Sequence, residues 1–364
     1  MKKKIAYILS FVSMSVVLVL GVFYLYLTKS AALTNKEKLV SDNLFYETKP
    51  QCIGNYVFDV PGSFVNIRND AIRINESKII TKRMYFPAFE QRIKIRERQL
   101  NDESTIDPVD SPFLKKIYRL DNINGIIFDR NTDASVAGTS RILEGHLYNN
   151  GVAFTVTLEF TDYSDPKYAD SRKKLINVAK VNENLLDVKP QALAEVKDLF
   201  SRLTGRKDSE IPAEKGTCIP DGFIKNGSGK VREQITMMYS YDNNFDFSVS
   251  TNNFVRGKES MLERSTNISS LLLKNNVYTL RKGERKLKNV IAEEWLTIGP
   301  NQRYYSGKQE DQILFNLRVN EKVADFYHPF LKVTLHNNDH PPRIYSDDQL
   351  VDIWDRLTES FRLR

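Results

Sequence analysis

Apolar residues are spread along this chain in two different ways. From Ile5 to Leu27 they make one uncharged, largely apolar run of 23 residues, directly after Lys2, Lys3 and Lys4. As a helix rising about 1.5 Å per residue, the run is about 34 Å long, enough to cross a hydrocarbon core of about 30 Å. The positive-inside rule keeps the lysines in the cytoplasm and sends the rest of the chain across. Ser30-Ala31-Ala32 offers a cleavage site, but the apolar core of a cleaved signal spans only about 7–15 residues, so length favours a retained anchor. Residues 1–28 are expected to be cytoplasmic lysines and a transmembrane signal anchor, crossing with residues 5–27. Residues 29–49 are polar, lack a strong pattern and read as a short stalk.

Beyond residue 50 the apolar positions come in short periodic sets. Pro87 stands where a helix can begin, and Phe89, Ile93 and Leu100 recur at helical spacing up to Asn101. Arg92, Lys94, Arg96 and Arg98 fall on the same helix and read as a solvated face. A strand is expected around Gly125 to Phe128. Ile142–Tyr148 then leads through Asn150-Gly151 into a strict alternation of Val152, Phe154, Val156, Leu158 and Phe160. Asn-Gly between such runs marks a hairpin, because both central residues must reach positive φ. Another helix starts near Pro190, carries Leu193, Val196, Phe200 and Leu203 on one side, and meets a candidate terminating glycine at Gly205.

Residues 206–217 are charged, contain Pro212 and Gly216, and read as a linker. The second half repeats the theme. Ile235, Met237 and Tyr239 alternate, Asn243-Asn244 can turn, and Phe245, Phe247 and Val249 alternate again. Strands are expected at 277–280, 290–296, 313–319 and 331–335. Ser346 and Gln349 make a capping box for a last helix with Leu350, Ile353, Trp354, Leu357 and Phe361 inward. No βαβ rhythm occurs, so the class is α+β: two domains of antiparallel sheet with packed helices, preceded by one transmembrane helix. The domains are expected at 50–205 and 218–364, in keeping with about 150 residues per domain.

Composition adds little that is specific. With 41% hydrophobic and 27% charged residues the chain is an ordinary globular protein. Its net charge of +7 owes three units to Lys2–Lys4; the remainder carries 50 Lys and Arg against 46 Asp and Glu. That balance is too mild to argue for a nucleic-acid partner.

Chemistry was sought in each usual pattern. His146, His328, His336 and His340 make no His-Glu-x-x-His motif, and His336 and His340 flank a turn before Pro341-Pro342. No Gly-x-Ser-x-Gly elbow exists. Gly227-Ser228-Gly229-Lys230 fails the phosphate-loop spacing, because Ser228 stands where the lysine belongs when counting from Gly222. Glu293 and Glu294 are adjacent and point to opposite faces of a strand. Arg281-Lys282-Gly283-Glu284-Arg285-Lys286 reads as a charged turn. No catalytic, cofactor-binding or metal-binding residue emerges, and no small-molecule substrate or cofactor is expected.

The only two cysteines open similar phrases. One is Cys52-Ile53-Gly54-Asn55-Tyr56-Val57-Phe58-Asp59-Val60-Pro61. The other is Cys218-Ile219-Pro220-Asp221-Gly222-Phe223-Ile224, shortly after Glu210-Ile211-Pro212. Exported thiols meet an oxidising compartment, and two cysteines suit one bond, making Cys52 and Cys218 a candidate disulfide. The alternative is two buried thiols on equivalent strands of separate domains. A bond needs Cα atoms about 4.4–6.8 Å apart, which repeats related by a rough symmetry achieve only near the axis.

These phrases, with Ala292-Glu293-Glu294-Trp295-Leu296 and the closing segment Leu350-Val351-Asp352-Ile353-Trp354-Asp355-Arg356 to Arg362-Leu363-Arg364, resemble the periplasmic immunity proteins that protect bacteria against type VI secretion lipase effectors. The chain departs from that pattern at Asn55, where the family usually has Arg, and at Asn289, where Gly is common. The resemblance implies a two-domain α+β protein, not an enzyme, that binds a cognate secreted phospholipase and blocks its substrate entrance. It implies an inner-membrane location with both domains in the periplasm. Its motifs read as fold residues, which leaves the effector contacts to loops. An anchored envelope hydrolase with an unconventional site and a structural envelope adaptor are the competing readings.

Overall fold

The alternating runs become strands, and the strands of both halves join one sheet. A computed structural model of the chain describes residues 33–67, 71–120, 122–225, 231–300, 311–338, 340 and 344–364. The expected anchor at 5–27, the Gly227–Lys230 segment and Pro341-Pro342 lie outside the described residues. Among those residues no helix is long and apolar enough to cross a membrane.

Helix α1 (Asn35–Leu44) comes first, then β1 (Thr48–Ile53), β2 (Tyr56–Pro61), β3 (Val65–Asn66), β4 (Ala71–Ile74) and β5 (Ser77–Arg83). Helix α2 (Phe86–Asp102) leads to a four-stranded meander of β6 (Leu114–Leu120), β7 (Gly125–Asn131), β8 (Ser140–Asn149) and β9 (Val152–Thr161). Helices α3 (Ala169–Asn177) and α4 (Lys189–Arg202) and the short strand β10 (Leu203–Gly205) close the first half. The second half runs through β11 (Gly216–Ile219), β12 (Gly222–Lys225), β13 (Glu233–Tyr241), β14 (Phe245–Asn252) and helix α5 (Ser265–Lys274). A second meander follows: β15 (Tyr278–Lys286), β16 (Ile291–Pro300), β17 (Asp311–Val319) and β18 (Phe330–His336). Helix α6 (Asp347–Glu359) and strand β19 (Arg362–Leu363) end the chain.

The main sheet has thirteen strands in the order β15-β16-β17-β18-β14-β13-β4-β5-β9-β8-β7-β6, with β3 on β13. The halves correspond strand for strand outward from the β13–β4 junction, where Ile235 lies opposite Ile72. Each half is a Cys-bearing hairpin, a strand pair, a helix, a four-strand meander, a helix and a tail strand. The tails are exchanged: β10 of the first half pairs with β12 of the second, and β19 of the second pairs with β2 of the first.

Register fixes which helices share a face. Ile79, Val156 and Gly145 follow one another across β5, β9 and β8 on the face of Ile72. Helix α4 covers that face, since a Cβ on Gly145 would sit 2.7 Å from the Phe200 ring. Phe315 lies opposite both Leu296 and Leu335 on the equivalent face of the second half, and there it meets Trp354 of α6 at 5.9 Å. One continuous core, including Ile72, Phe154, Phe200, Ile235, Phe315 and Trp354, therefore runs under both halves. Helices α2 and α5 lie on the other face.

Several expectations hold. The Asn150-Gly151 turn has φ of 47° and 78°. The Ser346–Gln349 capping box is present, and Leu350, Ile353, Trp354, Leu357 and Phe361 are all buried. The second-half turn shifts by one residue, with positive φ at Asp242 and Asn243.

Others need correction. Residues 29–49 are not all stalk. Thr34 and Glu37 form a capping box on α1, and α1 docks on α6 through Ser346 Oγ donating to Glu37 at 2.8 Å and an Arg356–Asp42 pair at 2.7 Å. Residues 206–217 are no loose linker, because Arg206 is 5% exposed and gathers the segment around its guanidinium. Gly205 does not end α4; it belongs to β10, where an added Cβ would stand 2.5 Å from the Asn149 carbonyl oxygen. The stretch Arg281–Lys286 is strand β15, not a turn. Its alternate arginines, Arg281 and Arg285, face Glu294 and Asp355, so a charged sequence is satisfied within the sheet layer.

Candidate functional site

The sequence candidates separate into structural clusters. Cys52 and Cys218 are fully buried, their Cα atoms 5.6 Å apart and their sulfurs within bonding distance. Around them, Gly54 N–H donates to the Cys218 carbonyl at 2.8 Å and Cys218 N–H returns the bond at 3.1 Å. Gly54 has φ +55°, and its absent side chain admits Thr251, whose methyl would lie 2.8 Å from a Cβ. Arg206 completes the junction. It donates to the carbonyls of Gly222, Cys52 and Ile219 at 2.9, 3.1 and 3.2 Å, and to those of Lys207, Asp208 and Glu210 at 2.8–3.0 Å. Ion and hydrogen-bond capacity here is spent on joining backbones.

The family-like segments also read as fold. Glu294, 5% exposed, accepts from Trp354 Nε1 at 3.1 Å and pairs with Arg281 at 2.6 Å and Arg285 at 3.3 Å. Glu293 points the other way and accepts from the Leu262 amide at 2.8 Å. The two departures sit in turns, where Asn55 Nδ2 donates to the Phe326 carbonyl at 2.5 Å and Asn289 Oδ1 accepts from the Leu363 amide at 2.9 Å.

Of the histidines, His328 lies 3.3 Å from Asp325 and His340 lies 3.1 Å from Asp246. His146 belongs to the one cluster that looks catalytic. Thr155 Oγ1 is 3.3 Å from His146 Nδ1, and His146 Nε2 is 3.0 Å from Glu144. Glu144, however, is already held bidentately by Arg96 at 2.7 Å and by Arg130 at 2.7 Å. Burial alone would raise its carboxyl; hydrogen bonds from Arg96 and His146 and the charges of Arg130 and Arg96 outweigh that and hold it far below the usual range. A carboxylate so neutralised adds little to an imidazolium, and the cluster's evident work is pinning α2 to the sheet. Arg96 is thus a half-buried tie to the sheet rather than a freely solvated residue.

What the fold leaves open is a face. Between α2, seated over β7 and β8, and α5, seated beside Trp295 and Lys282 of β16 and β15, no described helix crosses the strands, and the segment before α5 reaches only Glu293 and Glu321 at one end. Seven strands spaced about 4.8 Å make that floor roughly 30 Å wide, and each wall is a helix about 10 Å thick. The floor is built from the polar members of the alternating strands: Arg73 opposite Lys78 and Gln234, and half-buried Lys332 opposite Ser250 and Arg318, the latter paired with Glu321. Arg73, Lys78 and Lys82 are exposed and make no ion pair among the described residues. Arg92 of α2 adds exposed positive charge to one wall. At its foot lies a cavity of about 410 Å³ with Ile80, Met84, Phe89, Ile93 and Ile95 in its lining. On the opposite wall, α5 exposes Leu271 and Leu273 by 60% and 63%. Sequence reasoning directed attention to loops and missed this face. Its signal was present in the polar alternates of Ser77–Arg83 and Glu233–Tyr241, which mark a solvent side without saying that two helices wall it.

The comparisons follow the same two-part division. Residues 49–206 match the family described as the Tle cognate immunity protein 4 N-terminal domain, and residues 210–364 match its C-terminal domain. A solved structure of the apo immunity protein TplEi of the T6SS from Pseudomonas aeruginosa is 18% identical with a TM-score of 0.68, covering 87% of this chain and 97% of that one. The Tle4–Tli4 complex gives 18% identity and a TM-score of 0.67 over the same shares. At such identity the likeness shows the fold. None of the curated proteins is similar to this chain.

Proposed function

Since the chain belongs to the Tle cognate immunity protein 4 family, matched over both of its halves, we propose that it protects its cell by binding a type VI secreted lipase effector and closing that enzyme's substrate entrance. The surface that does this is the open sheet face between α2 and α5. The observation that carries the choice is the exposed set Arg73, Lys78 and Lys82 on the floor beside α2, which suits an acidic region of the effector flanked by apolar side chains. The protein acts by binding rather than by catalysis. It is held at the inner membrane by residues 5–27, with its domains in the periplasm; the supports are the length of that run and the lysines before it. Tethering keeps the inhibitor at high local concentration where a lipase attacks.

The test is capture of the neighbouring effector by the full-length protein, scored with survival when the effector is directed to the periplasm. Reversing two floor charges, Arg73→Glu with Lys78→Glu, is expected to weaken capture at least tenfold, mainly through slower association at low salt. Lys38→Glu on exposed α1 serves as the control and should leave capture intact. Equal loss in both variants, or none in the floor variant, refutes this surface. Lipid turnover by the purified protein would favour the hydrolase instead.

A further inference from the structure

A second cavity lies away from the open face, between the β11–β12 hairpin, the start of β13 and the loop before β18. Its volume is about 620 Å³, within the range of small-molecule sites. Ile224, Val231, Phe254, Phe326 and Tyr327 supply apolar and aromatic lining, and Arg202, Lys225, Arg232 and Arg256 supply positive charge.

Glu233 lies in the same lining and is 8% exposed. Its Oε1 accepts from Thr217 Oγ1 at 2.5 Å, while Oε2 has no hydrogen bond among the described residues. The strand end that carries it is fixed, because Asn253 Oδ1 accepts from the Glu233 amide at 2.9 Å and Asn253 Nδ2 donates to the Val231 carbonyl at 2.8 Å. The second oxygen is left to accept from whatever fills the cavity. Burial pushes this carboxyl up to about 7, against the opposing effects of Thr217 and Arg202.

Two of the cations at the mouth, Lys225 and Arg232, are only loosely engaged. Arg232 stacks on the Phe254 ring at 4.2 Å and meets exposed Glu76 at 3.7 Å. Lys225 meets exposed Glu214 at 3.5 Å. Arg202 pairs with exposed Asp198 at 2.7 Å. The pairs of Lys225 and Arg232 are exposed, weak and exchangeable, whereas Arg202 is mostly buried and also donates to the Lys225 carbonyl at 3.2 Å. Arg256 is committed to the carbonyls of Val255 and Ala324. Asp325, also in the lining, is committed to the Tyr327 and His328 amides at 2.8 and 2.6 Å. The lining carries four cations, Arg202, Lys225, Arg232 and Arg256, and two carboxylates, Glu233 and Asp325, so it can meet an anionic group and a hydrogen-bond donor at once. The combination suits a molecule carrying both charges.

We propose that this cavity binds a small zwitterion in which a primary ammonium is joined to a phosphate ester, the ammonium on Glu233 beside the aromatic side chains and the phosphate among Arg202, Lys225 and Arg232. Such a group can be a free ester or a lipid headgroup.

Calorimetry on the full-length protein in detergent tests it with O-phosphoethanolamine, ethanolamine, inorganic phosphate and glycine as probes. O-phosphoethanolamine should bind at least tenfold more tightly than any of the others. Glu233→Gln and Arg232→Ala should each weaken it tenfold or more while the unfolding transition stays cooperative. Equal affinity for phosphate alone, equal affinity for ethanolamine alone, no binding, or indifference to both substitutions overturns the proposal. Phosphatidylethanolamine vesicles that compete with the free ester, where phosphatidylglycerol vesicles do not, assign the headgroup as the source. Failure of both to compete assigns the free ester.

Discussion

Replacing Arg206 by Met should separate the stabilising role of the junction from that of the core. The substitution keeps an unbranched side chain of similar length, so apolar packing changes little, but it removes every donor. Three of the six carbonyls bound by Arg206, those of Lys207, Asp208 and Glu210, lie in a segment that water reaches. The other three belong to Cys52, Ile219 and Gly222, all buried. At about 1–3 kcal/mol for each buried polar group that loses its partner, the three together give about 3–9 kcal/mol. Relief of the cation's own desolvation, which lowers the Arg206 pKa, offsets part of this. The expected loss is about 3–5 kcal/mol, read as a lower urea midpoint at unchanged slope if the halves still unfold together. Arg206→Lys should fall between, since an ammonium has three donors where the guanidinium has five. A midpoint for Arg206→Met within about 0.5 kcal/mol of the parent, the range usual for surface changes, would refute the assignment of this residue as the organiser of the junction.

Two further outcomes are expected. Cys52→Ser with Cys218→Ser opens a covalent loop with a sequence separation of 166. It should lower stability by about 4–5 kcal/mol on the chain-entropy account, with the parent migrating differently on reducing and non-reducing gels; two titratable thiols in the denatured, exported protein would refute the bond. Glu233 tests linkage. Burial pushes its carboxyl up to about 7, above the ordinary glutamate value of 4.5, so the folded state binds the extra proton and stability falls as pH rises from about 4.5 to 7, by at most about 3 kcal/mol. Glu233→Gln should abolish that slope, matching the parent near pH 4 and exceeding it at pH 8 in urea titrations. Parallel pH curves for the two proteins would refute the buried-carboxyl reading.

What sequence made legible was whatever carried its own local logic. The β8–β9 hairpin follows from Asn150-Gly151 and five alternating apolar residues. Helix α6 follows from a capping box and an inward stripe. Elements whose stability is borrowed from distant residues were not legible. Helix α1 offers little apolar pattern, and what fixes it is Ser346, 309 residues away. Strand β15 carries arginines that only make sense beside Asp355, 74 and 70 residues on. The Arg206 segment has the charge and proline of a linker because its ordering comes from backbone carbonyls, which no side-chain pattern reveals. The open face was half legible: alternation marks a polar side, but the placement of α2 and α5 on it depends on register across the β13–β4 junction.

That junction also makes the proposed binding face one surface rather than two. Domains joined by a plain tether change their relative position freely, and a partner spanning both must then fix that freedom when it binds. Here each half lends its tail strand to the other's hairpin, so separation would break the β10–β12 and β19–β2 pairs together. It would also break the four-residue β13–β4 ladder and the reciprocal Gly54–Cys218 bonds. Parting the halves therefore approaches the disruption of unfolding them. Helices α2 and α5 stay at a set distance, and the floor between them is arranged before any partner arrives. An inhibitor built this way gains affinity from preorganisation. The paired Cys phrases stand at this crossing, where the Cα atoms of Cys52 and Cys218 come within 5.6 Å of each other.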